Sequence, residues 1–425
     1  MTARRIWRAP AFGYAAVAVV ALAWLSFVAS QLGLFQQGLD ALVLEAYDTK
    51  IYLQTADWVF GRTPLAQAGF GPSVYPVLFP IILGLAWAAH PIAVVGVQTV
   101  LWVLCIVLMT RISRRVAASW WVGVIWGLGF TLLATPAALV FYGLSDVTGA
   151  FFAISSLAAL QQHAEDHKPG SIFVAVLALG LAALVKSVFM YPALTLALVG
   201  LWSQRPRPRS MLLVAAGLLP LVLQSAWFYS TYGLAKPSAA DVYTLNEYFL
   251  ARVVAPKQRD ALLSERRARH QAYLKALQTQ TLAEFSKTVR TELSEEWAQR
   301  PDRVISTFKL NLGENARAGS NFLRSAPQLR RLSTLQNQVA THSLWVTFPL
   351  VLLLELLWLR RSRRPKPWHR DPEVYFRGYV LVAPVYFLVT TGLAYFQGDR
   401  YALLYFPPTF LLFARIYREI AARLK

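Results

Sequence analysis

Long runs of apolar residues alternate with short polar segments along this chain of 425 residues. Several runs hold about 17 to 22 residues, enough for an α-helix rising about 1.5 Å per residue to cross a hydrocarbon layer of about 30 Å. Hydrophobic residues make up 56% of the sequence, more than a soluble domain needs for its core. The pattern predicts an all-α, polytopic transmembrane helix bundle.

Basic residues are concentrated in some of the segments between the apolar runs. Arg4 and Arg5 precede the first run, and further clusters lie at 111–115, 205–209 and 360–366. Because cytoplasmic loops retain positive charge, this distribution places both termini and these loops in the cytoplasm. The net charge of +20 is therefore explained by topology and by contact with anionic lipids, and no nucleic-acid partner is predicted.

This charge distribution predicts about ten spans, the first of which is a retained signal anchor ending near Ser30. The short apolar segment 75–89 carries Pro76 and Pro80 and is interpreted as re-entrant or juxtamembrane, because a span there would move the 111–115 arginines outside. The predicted spans after the first are 91–110, 120–140, 147–162, 171–185, 189–202, 211–228, 343–359, 379–396 and 403–413.

The predicted topology divides the chain into three regions. Residues 1–228 form an N-terminal transmembrane module whose first outer loop is 31–73, and 342–425 form a C-terminal transmembrane module. Between them, 229–341 is an extracytoplasmic loop region. It mixes Glu, Arg, Ala and Leu at helical spacing, so we expect it to be mainly helical.

The first outer loop carries an acidic residue in a helical pattern. Asp48, Tyr52 and Ala56 share one face at four-residue spacing, and Gly61 is a plausible helix stop. A partly desolvated carboxylate facing a cavity can act as a general base toward a hydroxyl group. The alternative is that Asp48 only interacts favourably with the dipole of its helix.

Three further charged positions fall on the same predicted side. Asp146 follows the third span and either belongs to the site or caps the next helix. Lys186 interrupts an apolar run, and a lysine facing a bundle interior is a functional candidate whose expected partner is a lipid phosphate; the alternative is snorkelling to the headgroups. Arg400, preceded by Asp399 and followed by Tyr401, offers a fork of donors for phosphate or is a plain interfacial arginine.

Other features predict neither a metal nor a cofactor. The six histidines are scattered, and the phosphate-loop, dinucleotide and zinc-protease motifs of soluble enzymes are missing from the sequence. The lone Cys105 has no intramolecular disulfide partner. Glu355, inside the eighth span near its basic end, is expected to pair with Arg360 or Arg361.

Taken in order, these residues resemble the GT-C superfamily of membrane glycosyltransferases, which take a sugar from a polyprenyl-phosphate carrier. The similar families are the protein O-mannosyltransferases with the lipid A aminoarabinose transferases, and the polyprenyl-phosphate-mannose-dependent mannosyltransferases. Val77 departs from the pattern, since a second proline is usual there. The matching positions are Asp48, Tyr52, Ala56, Gly61, Tyr75, Pro76, Asp146, Lys186 at the end of a Gly-Leu-Ala run, Arg400, Tyr401 and Pro407.

The resemblance implies a GT-C-type fold and an inverting sugar transfer on the extracytoplasmic face of a bacterial inner membrane. The product would be a component of the cell envelope. Asp48 would be the base, and Lys186 and Arg400 would bind the donor phosphate. The implied partners are a polyprenyl-phosphate-linked sugar, a glycan, lipid or protein acceptor, and membrane lipids. The other implied site residues are Asp146, as a second catalytic residue, and Tyr52, Tyr75, Asp399 and Tyr401, as substrate contacts.

Two other functions remain open from the sequence. A transporter or lipid flippase would line a path with the same charges, although no inverted repeat is visible and the charges gather at one face. A polyprenyl-linked glycan ligase or polymerase would use the large loop region and arginines such as Arg317 or Arg324. The transferase reading makes the sharper prediction, that Asp48, Asp146, Lys186 and Arg400 converge on one outward-facing cavity.

Overall fold

Helices form almost all of the chain in the computed structural model, which describes residues 10–36, 42–204, 207–255, 259–279, 281–317, 320–361, 371–394 and 402–423. In these ranges there is no β-strand, and one isolated parallel bridge joins Leu44 to Tyr142. The helices of the N-terminal half are α1 (Pro10–Gln31), α2 (Tyr47–Val59), α3 (Gly71–Val74), α4 (Leu78–Ala89), α5 (Pro91–Ala117), α6 (Trp120–Thr131), α7 (Ala134–Leu139), α8 (Asp146–Asp166), α9 (Pro169–Val185), α10 (Met190–Ser203), α11 (Pro208–Ala216) and α12 (Leu219–Tyr232).

The second half begins with the predominantly polar helices of the predicted loop region and ends with three long helices. These are α13 (Ala240–Tyr243), a π-helix (Thr244–Leu250), α14 (Ala251–Val254), α15 (Arg259–Thr279), α16 (Leu282–Gln299), α17 (Pro301–Arg317), α18 (Pro327–Arg361), α19 (Pro372–Thr390) and α20 (Ala402–Arg423). A 3-10 turn at Ser187–Phe189 joins α9 to α10, and another at Thr391–Leu393 follows α19.

Four of the described helices are long and apolar enough to cross a membrane, namely α1, α5, α18 and α19. The bent pair α11 and α12 makes a fifth candidate span, and shorter apolar helices pack among them. The chain is therefore an integral membrane protein built as an all-α polytopic helix bundle. The number of described helices that are long enough to span is smaller than the predicted ten, because several predicted spans form shorter helices.

The predicted span 120–140 is one of these, and its prediction as a continuous segment is wrong. The helix breaks between Thr131 and Ala134, because Pro136 lacks the N–H that would bond to the carbonyl of Leu132. The side chain of Gln336, from α18, replaces the missing bonds. Its Nε2 donates to the Leu132 carbonyl at 2.8 Å, and its Oε1 accepts from the Ala134 N–H at 3.0 Å.

The predicted span 211–228 is also interrupted. Its helix bends by 55° between α11 and α12, where Pro220 removes the N–H that would bond to the carbonyl of Ala216. Both breaks occur in sequence that is apolar throughout, so hydropathy alone predicted unbroken helices there.

The segment predicted as re-entrant or juxtamembrane forms α4, whose 12 residues rise about 18 Å, less than a bilayer core needs. The helix packs along α2, with the rings of Phe79 and Tyr52 4.8 Å apart in an edge-on arrangement. A Cβ on Gly84 would lie 2.6 Å from that of Ala56, so a larger residue is excluded at this contact.

Glu355 has two partners that the sequence did not predict. Its carboxylate accepts from Arg377 of α19 at 2.9 Å and from Arg415 of α20 at 3.1 Å. The side chains of Arg360 and Arg361 lie outside the described part of the structure, so the predicted pairing of Glu355 with them stays a prediction.

A buried polar network holds the π-helix against α15 in the polar region. Glu247 binds Arg266 at 2.6 Å and His270 at 3.1 Å, and the hydroxyl of Tyr243 lies 3.2 Å from the same imidazole nitrogen, Nδ1. Although burial acts to raise it, hydrogen bonds from His270 and Tyr243 and the charge of Arg266 lower the pKa of Glu247. Burial, aided by the Glu247 carboxylate, raises the pKa of Tyr243, which keeps its hydroxyl protonated.

Because the folded-state pKa of Glu247 is depressed, its stabilisation is present at neutral pH and is lost as pH falls through that folded pKa, below its ordinary value of 4.5. We expect Glu247→Gln to lower the free energy of unfolding at pH 7 by about 1–3 kcal/mol, the usual cost of weakening a buried hydrogen-bonded group. Thermal unfolding of the detergent-solubilised protein between pH 3 and 7 measures both effects. Glu295→Gln, at an exposed site on α16, is the control, and equal losses in the two variants would contradict the prediction.

Candidate active site

The start of α2 places Asp48 close to the loop that precedes α8. Thr49 Oγ1 accepts from the Ala46 N–H at 3.1 Å, which satisfies a free donor at the helix N-terminus, and donates to the Gly143 carbonyl at 3.2 Å. A Cβ on Gly143 would lie 2.6 Å from the Thr49 methyl group, so this approach requires glycine. The predicted helix with Asp48, Tyr52 and Ala56 is confirmed, as is the stop at Gly61, where φ is +71°.

Asp48 is half-buried in the first turn of α2, where the positive end of the helix dipole favours its carboxylate. Its Oδ1 accepts a hydrogen bond from the hydroxyl of Tyr75 at 3.1 Å. The ring of Tyr52 lies 4.5 Å from that of Tyr75, but the Tyr52 hydroxyl is buried and bonds to Ser145 Oγ at 3.0 Å. Tyr75 thus orients the carboxylate directly, while Tyr52 fixes α2 against the start of α8.

Lys186 and Asp146 form a buried ion pair at the ends of two neighbouring helices. Asp146 is the first residue of α8, and Lys186 directly follows the last residue of α9. Lys186 Nζ donates to Asp146 Oδ1 at 2.5 Å, and the side chains are 14% and 1% exposed. Loss of either partner would remove a short and largely buried ion pair, which is strongly unfavourable.

A cavity of about 530 Å³ brings four of the predicted site residues together. Asp48, Tyr75 and Lys186 line it, and the ring of Tyr52 forms part of the same wall. Asp146 does not line the cavity but lies behind Lys186. The position of Asp146 favours a role in holding the lysine over direct contact with a substrate.

Asp399, Arg400 and Tyr401 lie outside the described residues, so their predicted roles stay predictions. Leu393 and Ala394, at the end of the described segment that follows α19, do line the cavity. Their position is fixed from α17, where Asn315 Nδ2 donates to the carbonyls of Thr391 and Ala394 at 2.9 and 2.6 Å.

The polar region contributes cavity residues that the sequence did not single out. Lys236 and Asp241 form an ion pair on the wall. Tyr243 at the end of α13, Tyr248 of the π-helix and Arg290 of α16 line the cavity as well. The sequence gives no signal for Arg290, which is one of many arginines on polar helices. In the described ranges, no group of three or more His, Cys, Asp or Glu residues is arranged to hold a metal ion.

This arrangement can perform acid-base chemistry beside a cationic anion-binding group. Asp48 can accept a proton from a hydroxyl in the cavity, and Lys186 can neutralise a phosphate there. The aromatic walls supply apolar faces for a ring-shaped substrate. The pairing of Lys186 with Asp146 keeps the ammonium in place when no anion is bound.

Comparisons with known proteins leave the chain without an assigned family. No protein-family model and no curated protein matches it. Among solved structures, it is similar to the crystal structure of ArnT from Cupriavidus metallidurans bound to undecaprenyl phosphate. The sequences are 15% identical, the match covers 96% of this chain and 77% of that chain, and the TM-score is 0.32. Values this low do not establish membership of a family.

We expect Asp146 and Lys186 to be energetically coupled. Asp146→Asn and Lys186→Gln should each lower the free energy of unfolding by about 3 kcal/mol, because each removes one partner of a largely buried ion pair. The free energy of unfolding of the double variant should fall by less than the sum of the two single losses, and the difference should be at least about 1 kcal/mol. Thermal unfolding in detergent tests this, with Asp57→Asn, which breaks an exposed ion pair with Arg62, as the control expected to change little. Additive losses would show that the two side chains do not stabilise one another.

Proposed function

We propose that this protein is a GT-C-type membrane glycosyltransferase that moves a sugar from a polyprenyl-phosphate carrier to an acceptor hydroxyl. The observation that carries the proposal is the meeting of Asp48 and Lys186 in one cavity, with Tyr75 and Asp146 orienting them. A base and a phosphate-binding cation are the two groups that this reaction needs. The order of the motif residues along the chain supports the same function.

In the proposed reaction, Asp48 accepts the proton of the acceptor hydroxyl as its oxygen attacks the anomeric carbon. The bond between that carbon and the phosphate oxygen breaks, and the polyprenyl phosphate leaves with the electron pair. Lys186 neutralises the charge that develops on the departing phosphate, which lowers the barrier electrostatically. Attack opposite to the leaving group inverts the configuration of the sugar.

The proposal also places the cavity on the extracytoplasmic side. Arg111 and Arg115, which bond to Gln162 near the end of α8, lie at the opposite end of that helix from Asp146. If these arginines face the cytoplasm, as the positive-inside bias favours, the cavity opens on the other face. Arg400 would add a second cation to the donor phosphate.

The charge distribution favours a transferase over a transporter. Along α8 and α9 the buried ion pair is confined to one end of each helix, whereas a transport path requires polar groups near the middle of the bundle. A glycan ligase or polymerase remains distinguishable by its product, which would be an extended glycan in place of a singly modified acceptor.

We expect Asp48→Asn to lower the transfer rate by about 10²- to 10⁴-fold, the usual effect of losing a general base. Lys186→Gln should lower it by about 10²- to 10³-fold through the loss of phosphate stabilisation. The measurement is release of polyprenyl phosphate from a panel of polyprenyl-phosphate-linked hexoses and pentoses, using protein in membranes that supply acceptors.

Each variant has a control that makes the same kind of substitution at an exposed position. Asp57→Asn and Lys50→Gln alter exposed side chains of α2, and both should retain the wild-type rate. Folding is checked by the elution volume of the solubilised protein. A well-folded Asp48→Asn protein that releases polyprenyl phosphate at the wild-type rate would refute the assignment of the base.

A further inference from the structure

A second, larger hollow lies beside the reaction cavity and is lined mainly by apolar side chains. It has a volume of about 980 Å³ and runs between α16, α17 and α18, with Leu388 of α19 at its base. Trp297, Phe308 and Trp345 are among its walls. We refer to this hollow as the apolar groove.

The groove is continuous with the surface that faces the membrane. Trp345, on its wall, is 66% exposed, and the exposed apolar side chains of Val346, Leu353 and Leu356 continue from it along the candidate span α18. A molecule could therefore enter the groove sideways from the lipid without crossing water. This favours a lipid chain as the occupant over a soluble peptide or sugar.

Helix α19 separates the groove from the reaction cavity. Tyr386 and Thr390 line the reaction cavity, Leu388 lines the groove, and Leu393 borders both. The partition is tied to α17, because Asn311 donates to the Gly392 carbonyl at 3.0 Å and Phe308 packs directly on Gly392. The two hollows thus meet at one fixed point.

The donor's chain has a separate apolar surface of its own. Val188, Met190 and Tyr191 line the reaction cavity directly after Lys186, and Tyr191 is 52% exposed. A prenyl chain attached to a phosphate at Lys186 would leave the cavity along these residues. The groove, on the other side of α19, is then available to a second amphipathic molecule.

Cationic side chains border the groove. Lys309 and Arg317, two turns apart on α17, line it and are exposed, and neither has an ion pair in the part of the chain that the structure describes. An apolar hollow with cations at its edge complements an anionic lipid, whose chains are apolar and whose headgroup is negative.

We propose that the apolar groove binds the acyl chains of an anionic lipid that serves as the sugar acceptor. Its headgroup anion lies at Lys309 and Arg317, and its hydroxyl reaches the reaction cavity past Leu393. The role of this lipid as an acceptor rests on the proposed glycosyl transfer. The binding of a lipid rests only on the groove and its bordering cations.

Gly313 provides a sharp test, because a Cβ at this position on the groove wall meets no atom within 4 Å. The backbone at Gly313 therefore accepts a side chain, and Gly313→Trp directs an indole into the groove. The probe is phosphatidylglycerol with a diazirine on its acyl chain, added to the full-length protein in phosphatidylcholine nanodiscs. We expect photolabelling of α17 and α18, lowered about tenfold or more by Gly313→Trp, since each CH₂ group excluded costs roughly fourfold in affinity.

Two control variants separate filling of the groove from damage to the fold. Gly313→Ala leaves the groove open, and Gly378→Trp adds the same indole at an exposed glycine of α19 that also has free space around it. Both should label like the wild type. Lys309→Ala combined with Arg317→Ala should reduce labelling by the anionic probe by about fivefold for each lost charge, but leave a matched phosphatidylcholine probe unchanged.

The outcomes distinguish this inference from the proposed function. Labelling of the groove by a diazirine polyprenyl phosphate, or equal labelling by the anionic and neutral probes, would overturn the inference. Transfer that persists in Gly313→Trp with an unchanged KM for the lipid acceptor, while Asp48→Asn is inactive, would also overturn it and leave the transferase intact. Groove labelling in a protein that transfers no sugar would refute the proposed function and the acceptor role, but not the lipid site.

Discussion

The buried pair of Lys186 and Asp146 is the constraint around which the candidate site is organised. Burying charge among apolar helices is costly unless it is paired, and this pair joins the start of α8 to the end of α9. That contact fixes the loop before α8, to which α2 is attached through Thr49 and Gly143. The position of Asp48 therefore follows from a contact made by other residues.

Periodicity and charge were sufficient to predict the helical character of the chain and the helix that carries Asp48. Both depend on local pattern, since an apolar run or a four-residue spacing acts within a few turns. The breaks at Thr131 and Ala216 were not predicted, because the cost of a proline depends on whether a distant side chain replaces the missing bond. Gln336 is such a side chain, and it lies about 200 residues from the break that it repairs.

The sequence was sufficient to predict some of the residues that line the site, but not which side chains contact one another there. Lys186 was predicted to bind a lipid phosphate, and the structure adds Asp146 as the side chain that holds it, a contact that was not predictable because the sequence does not show which helix ends coincide. Tyr52 was predicted to contact a substrate, which stays a prediction, and the structure shows that its hydroxyl bonds to Ser145. Lys236, Arg290, Tyr243 and Tyr248 form cavity walls through tertiary packing, which leaves no periodic signal in a polar segment.

The repair of the α6 break by Gln336 also bears on how the protein is made. During synthesis, α6 and α7 enter the membrane long before residue 336 leaves the ribosome. Until then, the Leu132 carbonyl and the Ala134 N–H lack the partner that they have in the finished fold, and unsatisfied backbone groups are costly in lipid. The bonding of this break in the N-terminal half therefore depends on a side chain of the C-terminal half. We expect the first half, when it is made alone, to need water or headgroups as partners for these two backbone groups.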